Sequence, residues 1–252
     1  IGATIKGIAE GRGYSIVREF CGHGIGRNFH EDPQILHFGN FGEGLEIKKG
    51  MVFTIEPMIN EGKPDLEILA NVLAEKARAV DAVIVSDYGK GFVDDELFTI
   101  LRGEAKFLAV DPKPRRTVRY GSPDLMTPNR SESLQLAGLE KHDFEDFPAQ
   151  TVVEAIHKTH GPRLLAITLG SDGMFLAEGG EVFRHIPTAA REVFDVSGAG
   201  DTVISALTLA LAAEASLEKA AAFANLAAGV VVGKVGTASA SPEEILKAMS
   251  QA

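Results

Sequence analysis

EVFDVSGAGDTVISALTLALAA, residues 192–213, carries a short β-branched run through Ser-Gly-Ala-Gly-Asp into a long apolar helix. Small residues have a purpose in such a turn. Gly198, Ala199 and Gly200 let backbone N–H groups approach an anion closely, and the helix beginning there adds the positive end of its dipole and its unpaired donors. Asp201 sits in the same turn. Its carboxylate could accept the proton of an attacking hydroxyl while the cradle holds charge on a transferred phosphoryl group. By spacing alone the stretch also reads as an ordinary strand-to-helix turn with a first-turn acid.

Upstream of this stretch, strand-like and helix-like runs alternate. DAVIVSD (81–87), FLAVDPK (107–113), DLMTPN (124–129) and RLLAITLGSDG (163–173) have the length and apolar content of strands. Between them VDDELFTILRG reads as a helix ended by Gly103, a helix begins at Ser131, and TVVEAIHKTHG is helical. The alternation predicts βαβ units, a mostly parallel α/β sheet and helices on both faces. MFLAEGGEVFRHI (174–186) reads as a hairpin around Gly179-Gly180, and two Ala-rich helices, 199–213 and 217–232, cover one face.

The front of the chain has another character. Residues 1–13 read as a helix stopped by Gly11 and Gly13, and YSIVREF as a strand. A loop-like stretch with His23, His30 and His37 covers Cys21–Gly44, and GMVFTIEPM (50–58) reads as a strand ended by Pro57. EGKPD (61–65) is a turn cluster before the helix LEILANVLAEKARA, and it is the expected junction.

Composition narrows the function classes. With 252 residues, one large α/β domain or two small ones can bury a core without stapling, and the single Cys21 excludes an intramolecular disulfide framework. A net charge of -10 argues against extended nucleic-acid binding. No apolar run reaches the roughly 18 residues of a membrane span, and the start lacks the basic and apolar regions of a signal peptide. The expectation is a cytoplasmic protein that handles small molecules.

The residues of the Gly-Ala-Gly-Asp turn resemble the signature of the ribokinase-like carbohydrate kinases. SDYGKG (86–91), VDPK (110–113), TPNRSE (127–132), TLGSDG (168–173) and FANLAAGVVVGKVGT (223–237) match that family in order. The resemblance covers roughly residues 66–252 and is closest to the heptose-7-phosphate kinases of lipopolysaccharide precursor synthesis. It implies ATP, magnesium and a sugar phosphate as ligands, with Asp201 the catalytic base and Gly198, Ala199 and Gly200 the anion hole. Asn129 and Glu132 match the family's NxxE pair, associated with magnesium and phosphate placement, and Lys113 would lie near the nucleotide phosphates. Thr168, Gly170 and Gly173 correspond to the loop bordering the nucleotide, and Asn225 to the helix flanking the adenine. Asp195 and Gly236-Thr237 resemble a monovalent-cation loop. Without the family, Asn129 and Glu132 read as a helix cap and a first-turn acid, and Lys113 and Lys90 as solvated lysines. Asp87, at a strand end, reads as a turn residue or a sugar-phosphate contact.

CGHGIGRNFHEDP (21–33) and GMVFTIEPM resemble the type I methionine aminopeptidases. That likeness implies an α+β fragment over 1–63, with His23 and Glu56 as metal ligands and His30 positioning substrate. The family's two aspartate ligands, a further histidine and a bridging glutamate have no counterpart here. His23 and Glu56 therefore form at most a weak single-ion site, and the ligand count favours a spectator role for His23 and His30. The kinase match likewise lacks the family's early sugar-binding segment and lid strands. The domains expected are 1–63 and 64–252 of a chimera-like chain. Its open readings are a sugar kinase, a nucleotide-binding module without turnover, and an aminopeptidase remnant. Self-association through the unpaired sheet is expected.

Overall fold

Helix α1 (Gly2–Glu10) ends at Gly11, the predicted stop, and β1 (Tyr14–Ile16) follows as the core of the predicted YSIVREF strand. The computed structural model describes all residues except 19, 26–30, 62–65, 90–92, 115–117, 140–145, 190–195, 197, 235, 237 and 251–252. Two compact units result, Ile1–Val72 and Leu73–Ala252.

In the first unit, β2 (Gly22–Gly24) pairs antiparallel with β3 (Glu31–Ile35), and β1 pairs antiparallel with β4 (Ile59–Glu61). The stretch Cys21–Gly44, expected to be loop, therefore contains two strands. Glycine makes this possible. A Cβ on Gly22 would overlap the Thr54 carbonyl and one on Gly24 the Asp32 carbonyl, so the GHG triplet allows backbones to approach that any larger residue would hold apart. The strand expected across 50–58 is a second correction. It shrinks to a bridge between Gly24 and Phe53, flanked by bonds from Thr54 N to His23 O (2.9 Å) and Ile25 N to Val52 O (2.8 Å). Val52 and Ile55 stay exposed, so no buried face carries the run further, and pairing resumes only after Pro57.

Helix α2 (Leu66–Ala79) occupies the predicted LEILANVLAEKARA. The turn expected just before it falls mostly at 62–65, outside the described residues.

In the second unit β5 (Val83–Ser86), β6 (Leu108–Asp111), β7 (Leu125–Met126) and β8 (Leu164–Thr168) are parallel neighbours. The hairpin β9 (Met174–Glu178) and β10 (Glu181–Ile186) adds antiparallel, giving the order β10-β9-β8-β7-β6-β5. The crossover helices are α3 (Asp95–Glu104), α4 (Arg130–Leu136) and α5 (Ala149–His160). Gly103 lies inside α3 rather than ending it. The helix runs on to Ala105, whose N–H reaches Leu101 O, because nothing at Gly103 demands a left-handed turn. Gly161, in contrast, adopts φ +61° and ends α5.

Helices α6 (Ala199–Ala212) and α7 (Leu217–Val232) cover one face, as their Ala-rich sequences predict. Alternate strand residues Ala109, Leu125, Leu164, Ala166 and Leu176 meet Ile204 and Leu207 of α6 and Ala220, Ala221 and Ala224 of α7. Alanine at the helix positions permits close approach, and the other strand residues, Leu108, Val110, Leu165 and Ile167, are buried on the opposite face. A final helix, α8 (Pro242–Met249), begins with a Ser241/Glu244 capping box that the sequence reading passed over. Among the described residues no helix is long and apolar enough to cross a membrane.

Candidate active site

The parallel strands all end at one edge of the sheet, and the chemistry-bearing residues gather there. β5 leads to Asp87, β6 to Asp111 and Lys113, β7 to Asn129 and Glu132, and β8 to Thr168 and Gly170. Ligands of open α/β sheets bind at this carboxyl edge. Asp87 N donates to Asp111 O (2.9 Å) and Thr168 N to Pro128 O (3.0 Å), so the bonds continue beyond the strands and fix neighbouring ends together.

Asn129 caps α4 in a reciprocal box. Its Oδ1 accepts from Glu132 N and its N–H donates to Glu132 Oε2, both at 2.9 Å. The helix thus starts at Arg130 under an Asn129 cap, one residue before the predicted Ser131. Glu132 is buried, and its other oxygen lies 2.6 Å from Lys113 Nζ. The capping geometry is the local reading of Asn129 and Glu132; the lysine contact adds a charged group that capping does not require.

Asp87 is buried at the head of a short turn. Its Oδ1 accepts from Gly89 N and its Oδ2 from the Tyr120 hydroxyl, both at 2.7 Å. Tyr120 in turn accepts from Lys113 N (3.0 Å), and burial together with the Asp87 carboxylate raises its phenol well above the ordinary range. One hydroxyl therefore joins the ends of β5 and β6. No local pattern in VRYGSPD announces this role.

Asp111 is the acid that sequence reasoning passed over, although it stands in the VDPK segment. Its carboxyl is pushed up to about 7, first by burial, then by the charges of Glu132 and Asp201 and more weakly Asp87, with Lys113 acting the other way. A strand-end acid at the carboxyl edge of a parallel sheet was the available signal.

Gly198, the N-cap of α6, has φ +78° and no side chain to cap the helix. Ala199 N bonds Val196 O and Thr202 N bonds Gly198 O, whereas Gly200 N and Asp201 N have no partner among the described residues. A Cβ on Gly200 or Gly170 would meet nothing within 4 Å, so open space lies beside both turns. Asp201 is exposed in the first turn of α6, which packs against β5 and β6. Gly173 (φ +85°) is needed for closure, since a Cβ there would overlap the Ile186 carbonyl.

Asn225 on α7 stands apart from the carboxylates in its bonding. Its Oδ1 accepts from Ala189 N (3.1 Å) and its Nδ2 donates to Pro187 O (2.7 Å), securing the segment after β10. Lys90, Asp195 and Thr237 lie outside the described residues.

The pfkB family carbohydrate kinase profile matches residues 52–244, most of the chain. The chain belongs to the pfkB carbohydrate kinase family. Metallopeptidase family M24 matches residues 1–87, overlapping the kinase match. The bifunctional protein HldE of Helicobacter pylori (strain J99) is 40% identical over 187 residues, 73% of this chain and 40% of that protein. HldE of Desulfatibacillum aliphaticivorans is 46% identical over 175 residues, 68% and 35% of the two chains. This pfkB chain thus spans well under half the length of these curated relatives. Among solved structures, phosphofructokinase-2 from Escherichia coli with substrates and products matches at TM-score 0.64 and 18% identity, covering 80% of this chain and 66% of that one. Ribokinase from Thermotoga maritima matches at 0.60 and 22%, covering 81% and 67%. The ribokinase-like fold expected from the sequence is therefore present.

In the first unit, the two expected metal ligands meet. His23 Nε2 lies 3.4 Å from Glu56 Oε1, and His23 is buried while Glu56 is exposed. Thr54 holds both, donating its hydroxyl to Glu56 Oε1 (2.7 Å) and accepting from His23 N (2.9 Å). Glu56 N donates to the buried His37 Nε2 (3.2 Å), and burial pushes His37 down in pKa. His30 lies outside the described residues. One imidazole and one carboxylate do not make up the ligand set of a two-metal centre.

Proposed function

We propose that the pfkB portion binds ATP with magnesium and transfers the γ-phosphoryl group to a sugar-phosphate hydroxyl, with heptose 7-phosphate at O1 as the substrate. The carrying observation is the convergence of the uncapped α6 start at Gly198 with Asp111, Lys113 and Glu132 at one sheet edge. Similarity to the HldE proteins at 40% and 46% identity supports the kinase reading, and the choice of heptose 7-phosphate rests on the motif resemblance.

In this reading Asp201 accepts the hydroxyl proton, and Gly200 N and Asp201 N donate to the oxygens on which charge develops. Lys113 balances phosphate charge. Thr168, Gly170 and Gly173 border the nucleotide, and Asn225 shapes its adenine side through the 187–189 segment. Among the described residues no three His, Cys, Asp or Glu side chains group closely enough to hold a metal by themselves. That suits magnesium, which keeps several waters and takes one or two carboxylates plus phosphate oxygens. Glu132 and Asp111 would hold it, and Asp111, a half-buried carboxyl that makes no side-chain hydrogen bond among the described residues and sits beside other acids, fits that need for a cation. When bound, magnesium neutralises charge on the phosphates. A monovalent cation near Gly236 belongs to the same family reading.

Titration calorimetry of magnesium–ATP, with and without heptose 7-phosphate, tests the proposal. ATP should bind, and Asp201→Asn should abolish transfer while sparing ATP affinity. Equal loss of both would make Asp201 a structural residue. ATP binding without transfer in the parent chain selects the second reading, a nucleotide-binding module.

A further inference from the structure

Beside the proposed nucleotide edge, five side chains close a ring. Arg130, the first residue of α4, places Nη2 2.5 Å from Asp172 Oδ2 in the turn after β8. The Asp172 carbonyl accepts from His185 Nε2 of β10 (2.7 Å). The His185 ring packs on Phe175 of β9, centroids 4.6 Å apart, and Phe175 stacks on Phe147 at 5.9 Å and 18°. The Arg130 guanidinium lies 5.5 Å over Phe147, completing the circuit.

We infer that Arg130 is a positioning residue that fixes the Gly170–Asp172 turn against the start of α4. The inference rests on the nucleotide reading of that turn. A single surface ion pair holds little, because solvent screens it and two long side chains lose freedom. Here the guanidinium is held on both sides, by a carboxylate and by an aromatic face, and the last residue of the turn is held twice, through the Asp172 side chain and its carbonyl. The backbone alone leaves it looser. Asp172 N bonds Leu169 O and Gly173 N bonds Gly170 O, so the turn closes on itself, and the link to the neighbouring strand end stops at Thr168–Pro128. Gly170 at φ +64° adds freedom that the ring removes. The consequence is a prepaid ordering of the turn, so that nucleotide meets a formed wall and not an ensemble.

The test compares Arg130→Gln, Asp172→Asn and the double variant by hydrogen exchange of the ligand-free chain and by magnesium–ADP calorimetry. Exchange at Leu169, Asp172 and Gly173, whose amides close the turn, should quicken in each single variant and no further in the double, while the hairpin tip at Gly179-Gly180 stays as it was. ADP affinity should fall about three- to ten-fold as the competent fraction drops. Arg130→Lys keeps the charge but not the planar face and should recover part of the loss. Unchanged exchange at 169–173, independent adding of the two substitutions, or a uniform loss of protection across the sheet would overturn the inference. Failure of the parent chain to bind ADP removes the nucleotide reading instead, and the exchange measurements still decide what Arg130 does.

Discussion

Lys113 Nζ lies 2.6 Å from Glu132 Oε1, joining the end of β6 to the first turn of α4 across the sheet's carboxyl edge. Glu132 is almost fully buried and Lys113 is about one-third exposed, so the lysine is what makes a buried charge tolerable.

Lys113→Met should therefore destabilise the chain by about 2 kcal/mol, less than the roughly 3–5 kcal/mol for breaking a fully buried pair because solvent reaches the lysine. Adding Glu132→Gln should restore much of that, since the amide keeps the cap on Asn129 N without the charge. Urea unfolding of the parent and the two variants checks it. If Lys113→Met costs nothing, the pair is not holding the buried carboxylate.

Asp111 predicts a pH slope. Its folded pKa, about 7, exceeds the ordinary 3.8, so the folded state binds the extra proton between these values and stability falls as pH rises from about 4 to 7. Asp111→Asn should remove this decline and stabilise the chain by about 2 kcal/mol at pH 8. Burial lowers His37 and His160, which gives the opposite slope, with stability lost as pH falls below 6.5. Both terms cancel in the difference between variant and parent, so melting temperatures of the two from pH 5 to 8 isolate Asp111. A pH-independent difference would show that the carboxyl is not perturbed.

Legibility follows the range of the interactions. The α/β alternation, the hairpin and the two Ala-rich helices were readable because period and turn residues are local, and α2 fell on the predicted residues. The strands around His23 were not, because glycine there signals close approach of distant backbone, at Thr54 and Asp32, as well as it signals loop. At the site, Asp201, Lys113 and Glu132 stood in recognisable motifs. Tyr120 and the Arg130 ring join residues far apart in sequence through geometry that no single segment encodes. Gly103 failed as a stop because glycine ends a helix only where a left-handed residue is required.

The His23 and Glu56 pair should not support methionine release with cobalt, manganese or iron. The pair supplies one imidazole and one carboxylate, 3.4 Å apart, and a dinuclear water-activating centre needs ligands beyond them. His23→Ala should leave nucleotide binding unchanged. Stoichiometric uptake of two metal ions by the parent chain, or cleavage of a Met-initiated peptide, would refute this.

Strand β5 predicts association. Among the described residues it pairs only with β6 and forms the edge of the sheet, and Ile84 is 40% exposed. The apolar run read from the sequence thus lies at an edge position, without a covering neighbour among the described residues. Val83 and Asp87 donate their amides toward β6, to Phe107 O (2.8 Å) and Asp111 O (2.9 Å), so by alternation Ile84 and Ser86 direct theirs to the open side. Such an edge is a template for another strand, and neither proline nor an inward charge blunts VIVS. A second copy is the available partner in a pure sample. Light scattering after size exclusion should show a mass that grows with concentration, with the Ile84 and Ser86 amides gaining protection in step. Ile84→Lys should return the chain toward monomer by placing a charge at the edge. A concentration-independent monomer whose Ile84 and Ser86 amides are already protected would mean that the edge is covered within one chain.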